Sequence, residues 1–215
     1  RSRYKNMYTG VFYQRYILGL WVMSEGLIYD MFDHTENTYR EDIPSLPYAC
    51  QRYIACDYGT SNPTVFLDIY DSGEVIRVDR EYRWDSRKER RQKTDQEYAD
   101  DFAEFMGNIP ATVLVDPSAA SFIVALRQRG VYVREADNDV LDGIRKTSVL
   151  FKRREILIHE RCAGLLDELG TYLWDDKAAL RGEEKPVKQQ DHGPDALRYF
   201  VNYLPDWRFE GVQTT

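Results

Sequence analysis

Three cysteines in 215 residues, Cys50, Cys56 and Cys162, are odd in number and form no CxxC pair. That argues against both a disulfide framework and a zinc site, and it makes a reducing interior the expected compartment. No apolar run approaches the roughly 18 residues of a membrane-spanning helix, so no segment is expected to cross a bilayer. The chain opens on Arg1 rather than Met, without a signal-peptide pattern, and is expected to be a piece of a longer protein. Positive charge is in deficit: 29 Lys and Arg face 36 Asp and Glu, for a net charge of −7. That balance weighs against tight autonomous binding to nucleic acid, because phosphate neutralisation drives such affinity. Another domain or partner would then hold a polyanionic substrate.

What is present suffices for a real core: 43% apolar and 13% aromatic residues, in a length that suits one large domain or a domain with an appendage. Residues 1–50 read as a linker or docking segment, aromatic and aliphatic over 11–32, then polar with Pro44 and Pro47. Residues 51–215 read as the main domain. Residues 53–57 form a short apolar strand; 64–70 and 74–82 are strands joined by Asp71-Ser72-Gly73, where glycine tolerates the turn. Thr94-Asp95-Gln96-Glu97 is a capping box, and Tyr98, Phe102, Phe105 and Met106 follow at helical spacing up to Gly107-Asn108. The pattern then predicts a strand over 112–115, a helix over 118–129, a strand over 131–134 and a helix over 139–154. A brief extended run over 156–159 and a helix over 162–174 follow, and a last helix starts near Pro194. An antiparallel meander feeding parallel βα units predicts an α/β fold: a mixed five-stranded sheet flanked by helices.

Acidic residues stand at telling points. Asp57 closes Tyr53-Ile54-Ala55-Cys56, and Asp116 closes Ala111-Thr112-Val113-Leu114-Val115. Either could be a plain turn or cap residue, yet ligands gather at the carboxyl ends of strands, and both occupy such ends. Asp191 and Asp195 flank His192-Gly193-Pro194 at a helix start, where the dipole favours negative charge. His192 could be a metal ligand, a proton shuttle or a polar loop residue. Converging carboxylates repel, and a hard divalent cation is the usual remedy. Phosphodiester cleavage needs an activated water and charge relief at the leaving oxygen, which two such ions about 4 Å apart supply. Asp57 is the candidate for the shared ligand, with Asp116 and Asp195 each holding one side. Oxygen-only ligands select Mg²⁺ or Mn²⁺ over zinc.

Basic residues cluster twice. Arg83, Arg87, Lys88, Arg90, Arg91 and Lys93 are interleaved with Asp85 and Glu89 and read first as a solvated face. Arg145, Lys146, Lys152, Arg153 and Arg154 have fewer compensating acids and are the better candidates for phosphate contact. Lys185 and Lys188 lie in a loop-like stretch, 173–190, expected to flank the site as a mobile hairpin.

Four passages together resemble the C-terminal nuclease domain of the large terminase subunit of tailed double-stranded DNA phages. Arg15-Tyr16-Ile17-Leu18-Gly19-Leu20-Trp21 with Glu25-Gly26-Leu27-Ile28-Tyr29 is similar to the segment joining the packaging ATPase to the nuclease. Tyr53-Ile54-Ala55-Cys56-Asp57-Tyr58-Gly59 and Val113-Leu114-Val115-Asp116-Pro117-Ser118 resemble its first two active-site strands. Leu166-Asp167-Glu168-Leu169, leading to Asp191-His192-Gly193-Pro194-Asp195-Ala196-Leu197-Arg198-Tyr199, is the most specific passage.

The resemblance implies a ribonuclease H-like fold. It also implies endonucleolytic cutting of concatemeric phage DNA at the start and end of packaging, with two Mg²⁺ or Mn²⁺ ions. Asp57, Asp116 and Asp195 match the acid triad by position, His192 matches a neighbour of the third acid, and Asp191 competes with Asp195 as ligand. Double-stranded DNA, a covalently linked ATPase motor domain, the portal protein and the small terminase subunit are the implied partners. The implied location is the host cytoplasm, at the procapsid portal. No G-x-x-x-x-G-K-[ST] sequence occurs, so this chain does not carry the motor's phosphate loop.

Other readings compete. Asp57-Tyr58-Gly59-Thr60 resembles the first phosphate loop of actin-like ATPases, but Asp116-Pro117-Ser118-Ala119-Ala120 lacks the glycine a second such loop needs. A related ribonuclease H-like nuclease such as a junction resolvase, or a non-catalytic docking module, are the remaining alternatives.

Overall fold

The computed structural model describes residues 26–42, 50–60 and 62–209. The joining passage expected over residues 15–21, and the loop at Pro44 and Pro47, lie outside these described residues. Among them one sheet of seven strands forms, in the order β1-β7-β4-β3-β2-β5-β6. The strands are β1 (Thr38–Tyr39), β2 (Gln51–Asp57), β3 (Thr64–Asp71), β4 (Ile76–Trp84), β5 (Thr112–Val115), β6 (Val133–Glu135) and β7 (Ile156–His159).

The meander β2–β3–β4 is antiparallel, and every other pairing is parallel. Only β3 therefore runs against the rest, so β2, β4, β5, β6 and β7 all end on the same side of the sheet. The five strands expected from sequence are present, and two join them. The run over 156–159 pairs with β4 as β7, and Thr38–Tyr39 pairs with β7 as an edge strand. Two polar-flanked residues carry no alternating pattern, which is why β1 is invisible until its parallel partner is in place.

Helices cover both faces. On one side lie α1 (Asp95–Met106) and α2 (Ala120–Gln128), and alternate residues of β2, Ile54 and Cys56, pack there with Phe66, Phe102 and Phe122. On the other lie α3 (Val140–Lys152), α4 (Ala163–Leu169) and α6 (His192–Tyr203), which bury Tyr53, Ala55, Leu67, Leu197 and Phe200. The strand period of two therefore fills both cores from one segment. It also sends Asp57 to the α6 side, continuing Tyr53 and Ala55. A short helix, α5 (Asp176–Ala179), precedes α6.

The capping box at Thr94 and Glu97 forms as expected, with the Thr94 side chain accepting from the Glu97 amide. The helix expected over 162–174 is shorter, ending at Leu169 before Gly170, and residues 173 and 174 instead make short antiparallel bridges to Leu27 and Pro186. Leu27, Ile28, Tyr29 and Phe32 are buried, so the described part of the amino-terminal segment contributes to the core.

Candidate active site

The site begins with register. β2 and β5 are parallel neighbours with Cys56 opposite Val115, so the residues that follow each, Asp57 and Asp116, leave the sheet side by side. Helix α6 crosses beneath them and carries Asp195 and Tyr199, one turn apart on one face. The Tyr199 hydroxyl donates to Asp116 Oδ2 at 2.8 Å and reaches Asp57 Oδ1 at 3.4 Å. His192, at the first position of the helix, contacts Asp57 Oδ2 through Nδ1 at 2.8 Å.

The third acid is differently held. Asp195 is buried, and its Oδ1 receives Arg198 Nη2 at 3.1 Å and Nε at 3.3 Å. Lys188 Nζ lies 3.2 Å from Asp195 Oδ2 and 3.5 Å from Asp191 Oδ2, an ammonium between two carboxylates. Asp191 is the residue before α6, and its carbonyl accepts from the Asp195 amide at 2.7 Å. The Pro194 ring falls within the first turn, where an amide hydrogen has no intrahelical partner in any case.

Behind the acids stands a second chain of contacts. Glu168 on α4 accepts from the Gly193 amide at 2.6 Å, satisfying one of the open donors of α6. Arg83, at the end of β4, grips the same carboxylate at 2.6 and 2.9 Å and also reaches Glu81. Glu81 in turn accepts from the Leu165 amide at 3.1 Å. Space is tight here: a Cβ on Gly193 would stand 3.0 Å from Glu168 Oε2 and Leu165 Cδ1, and one on Gly164 would collide with Arg83 Nε.

Protonation follows this geometry. Burial raises the Asp57 carboxyl above its ordinary range; the His192 hydrogen bond opposes, and Asp195 and Asp191 push upward again. Burial and then Asp195 likewise raise Asp191, against Lys188 and His192. Burial would also raise Asp116, but Ser118, Tyr199 and Asn138 donate to it and hold it below its ordinary value. The Ser118 amide donates to it at 2.7 Å. Burial would lower His192, yet the bond to Asp57 and the surrounding acids leave it raised. Burial raises Tyr199 strongly, so its hydroxyl keeps its proton and acts as a donor.

The other basic residues singled out in the sequence lie elsewhere and are largely engaged. Lys146 pairs with Asp142 at 2.9 Å and Asp206 at 3.4 Å, Arg154 with Glu36 at 3.0 Å, and Lys185 with Glu183 at 2.7 Å. Arg153 donates to the Arg208 carbonyl at 3.0 Å, and Lys152 is exposed. Only Lys188 of that set reaches the acids. Sequence reasoning passed over Tyr199, Glu168 and Arg198 as site residues. For Tyr199 a signal existed, since it follows Asp195 by four residues; for Glu168 the link to Gly193 spans 25 positions and has none.

Among the described residues, no three His, Cys, Asp or Glu side chains stand close enough, as placed, to hold one metal ion. The acids do share a donor chemistry: all are oxygen ligands, and Lys188 already lies as a cation between two of them.

Several solved structures share this arrangement of elements. The chain aligns over 94% of its length with the large terminase of a thermophilic bacteriophage, solved in complex with ADP, at 52% identity and a TM-score of 0.79. It covers 51% of that protein, so it spans about half the length of the large terminases it matches at this identity. It also aligns over 84% of its length with the P22 large terminase nuclease domain, covering 93% of that chain at 16% identity and a TM-score of 0.68. The large terminase nuclease from thermophilic phage G20c with bound magnesium follows at 12% identity and a TM-score of 0.63, with 84% of this chain and 98% of that one covered. The G20c nuclease has also been solved with bound cobalt. At such low identities the likeness carries the fold. No protein-family model matches the sequence, and no curated protein does.

Proposed function

Since the chain belongs to the large-terminase family and carries the fold of its nuclease domains, we propose that it is a metal-dependent endonuclease. It cuts concatemeric double-stranded viral DNA during genome packaging. The observation that carries this reading is the adjacency of Asp57 and Asp116, tied together by Tyr199 from the helix that also brings Asp195.

Asp57, Asp116 and Asp195, with Asp191 beside them, would hold two divalent ions, Mg²⁺ or Mn²⁺, and Asp57 is the candidate for the shared ligand. The bound magnesium and cobalt of the G20c nuclease support a divalent ion. So does the crowding of Asp57, Asp191 and Asp195, whose mutual repulsion adds to burial in raising Asp57 and Asp191. When bound, such ions activate a water and relieve charge on the departing 3′-oxygen.

The chain's own residues do the rest. His192 fixes one oxygen of Asp57, and Tyr199 fixes one oxygen of Asp116, so both carboxylates are oriented before substrate arrives. Arg198 holds Asp195 from inside the fold, and Lys188 neutralises it from the solvent side. The Arg83–Glu168–Gly193 chain sets where α6 begins, and with it the positions of Asp191, His192 and Asp195.

In this reading residues 51–215 form the nuclease domain, with the core residues 27–32 and the edge strand β1 built into it, and the preceding residues join it to an ATPase motor domain. Duplex DNA, the small terminase subunit and the portal protein are the remaining partners, met in the host cytoplasm at the procapsid portal. The test is plasmid cleavage in EDTA, Mg²⁺ and Mn²⁺, with Asp57→Asn and Asp195→Asn alongside. Metal-dependent nicking or linearisation that both variants lose supports the reading. A folded protein that leaves the plasmid intact in both metals refutes it for the chain alone.

A further inference from the structure

The six basic residues over 83–93 separate into two groups once their partners are seen. Arg83 is committed to Glu168 and Glu81, Arg91 to Glu97, and Lys93 to Asp101 and the Trp84 ring. The other three are exposed. The Arg87 and Arg90 guanidinium groups have no hydrogen-bond or ion-pair partner among the described residues, and Lys88 has only a 3.9 Å contact with Asp85.

We propose that this turn, between β4 and α1, is a preformed surface that grips the phosphates of duplex DNA through Arg87, Lys88 and Arg90. The proposal rests on the nuclease reading for why DNA should lie at this end of the sheet. Three observations support it. The first is topological. β4 runs parallel to β7 and, across β3, in the same sense as β2, so its carboxyl end lies on the side where Asp57 and Asp116 leave the sheet. Thr64, which follows the loop after Asp57, pairs with Trp84 directly before the turn, and Gln92 Nε2 donates to the Thr60 carbonyl at 2.9 Å. Arg83 reaches Glu168 and through it the start of α6, on the same face as Asp57.

The second is construction. Asp85 accepts from the Arg87 amide at 3.0 Å and the Lys88 amide at 3.3 Å, and its carbonyl accepts from the Glu89 amide at 2.9 Å. The Arg91 amide closes on the Ser86 carbonyl at 3.2 Å, and Trp84 Nε1 donates to the Arg91 carbonyl at 3.2 Å. Arg90 holds a φ of 53°, a conformation an arginine occupies only when its surroundings impose it. A turn tied at this many points need not have its backbone ordered on binding, which leaves only the side chains' own freedom to be lost.

The third is charge. Arg87, Lys88 and Arg90 outnumber the turn's two acids, Asp85 and Glu89, and Asp85 is turned onto the Arg87 and Lys88 amides, on a chain of net charge −7. Elsewhere the excess acid meets most cations in pairs, as it does for Lys146, Arg145 and Arg154 on and after α3. A local surplus of exposed, unpaired guanidinium groups in such a background is where a polyanion is attracted.

The experiment measures binding of the chain to a linear duplex by fluorescence anisotropy across a salt series, in EDTA so that no cutting intervenes. Arg87→Gln, Lys88→Gln and Arg90→Gln are compared singly and together with an Arg145→Gln, Lys152→Gln pair from α3. All of these positions are exposed, and matched circular dichroism melts establish that the fold is kept. The expected result is a fall of about 0.9 in the slope of log K against log salt for each turn residue removed, with little change for the α3 pair. An unchanged slope in the triple variant overturns the proposal, as does a loss confined to the α3 pair. So does failure of the wild-type chain to bind at low salt. Because binding is read without metal, a chain that binds through this turn yet never cuts would defeat the nuclease reading and leave the contact surface standing.

Discussion

The Tyr199 hydroxyl donates to Asp116 Oδ2 at 2.8 Å while standing 3.4 Å from Asp57 Oδ1. One side chain from α6 thus bridges the ends of two parallel strands, and the spacing of two carboxylates depends on a third element.

Tyr199→Phe keeps the buried ring and removes only the donor. Cleavage should fall roughly 10- to 100-fold, or the divalent-ion requirement should rise by a like factor, as for other groups that orient metal ligands. A Mn²⁺ titration of plasmid cleavage separates the two. Wild-type rate and metal dependence would remove Tyr199 from the site.

Glu168 joins Arg83 to the first turn of α6, so Glu168→Ala should damage both stability and cutting. Removing one partner of a buried pair costs roughly 3–5 kcal/mol, and the partial exposure of Arg83 places this case toward the lower end. Urea denaturation of both proteins measures the loss. Glu168→Gln retains an acceptor for the Gly193 amide and should recover part of the activity; recovery no better than alanine would mean the Arg83 pairing alone matters.

Gly143 lets α3 approach α6. A Cβ there would collide with Arg198 Cγ and lie 2.7 Å from Asn202 Oδ1, and Arg198 is the residue that holds Asp195. Gly143→Ala should destabilise the protein by about 1–3 kcal/mol, as overpacking does, and lower cleavage beyond what reduced stability explains. Cleavage at wild-type rate well below the melting transition would separate Arg198 from the site.

Stability in EDTA should depend on pH in a definite direction. His192 holds its proton above its ordinary value of 6.5, so the stability its pairing supplies is complete below 6.5 and lost as pH rises through the raised value. Asp57 and Asp191 are displaced upward from 3.8, so between 3.8 and their raised values the folded state again binds more protons than the unfolded one. Stability therefore rises as pH falls through that window. Asp116, displaced downward, contributes stability that is lost only as pH falls below 3.8. The melting temperature should climb as pH falls through the raised His192 value toward 6.5, and His192→Gln should flatten that part. A melting temperature that fell over this range, equally in both proteins, would contradict the pairing.

Much of the fold was legible because local rules and tertiary packing agree. Strand β2, the turn at Gly73 and the capped start of α1 all carry their signals within a few residues. Boundaries moved where packing decided them: β4 begins at Ile76 and runs on to Trp84, two residues past each expected end, while α6 starts at His192 with Pro194 in its first turn as expected. The edge strand Thr38–Tyr39 exists only because β7 lies beside it, and two residues hold no pattern of their own.

By itself the sequence determined that acids terminate two apolar strands and open a final helix, because strand period and helix capping are local properties of the chain. Only the tertiary structure decided what those acids meet. It placed Tyr199 between Asp57 and Asp116, Lys188 between Asp191 and Asp195, and Glu168 beneath Gly193. It also sorted the cations near β4 into those paired with acids and those left to solvent. Such partnerships join residues up to 142 positions apart, as for Tyr199 and Asp57. Charges and hydrogen-bond donors act through distance in space, and that distance is set only when helices and sheet close on one another.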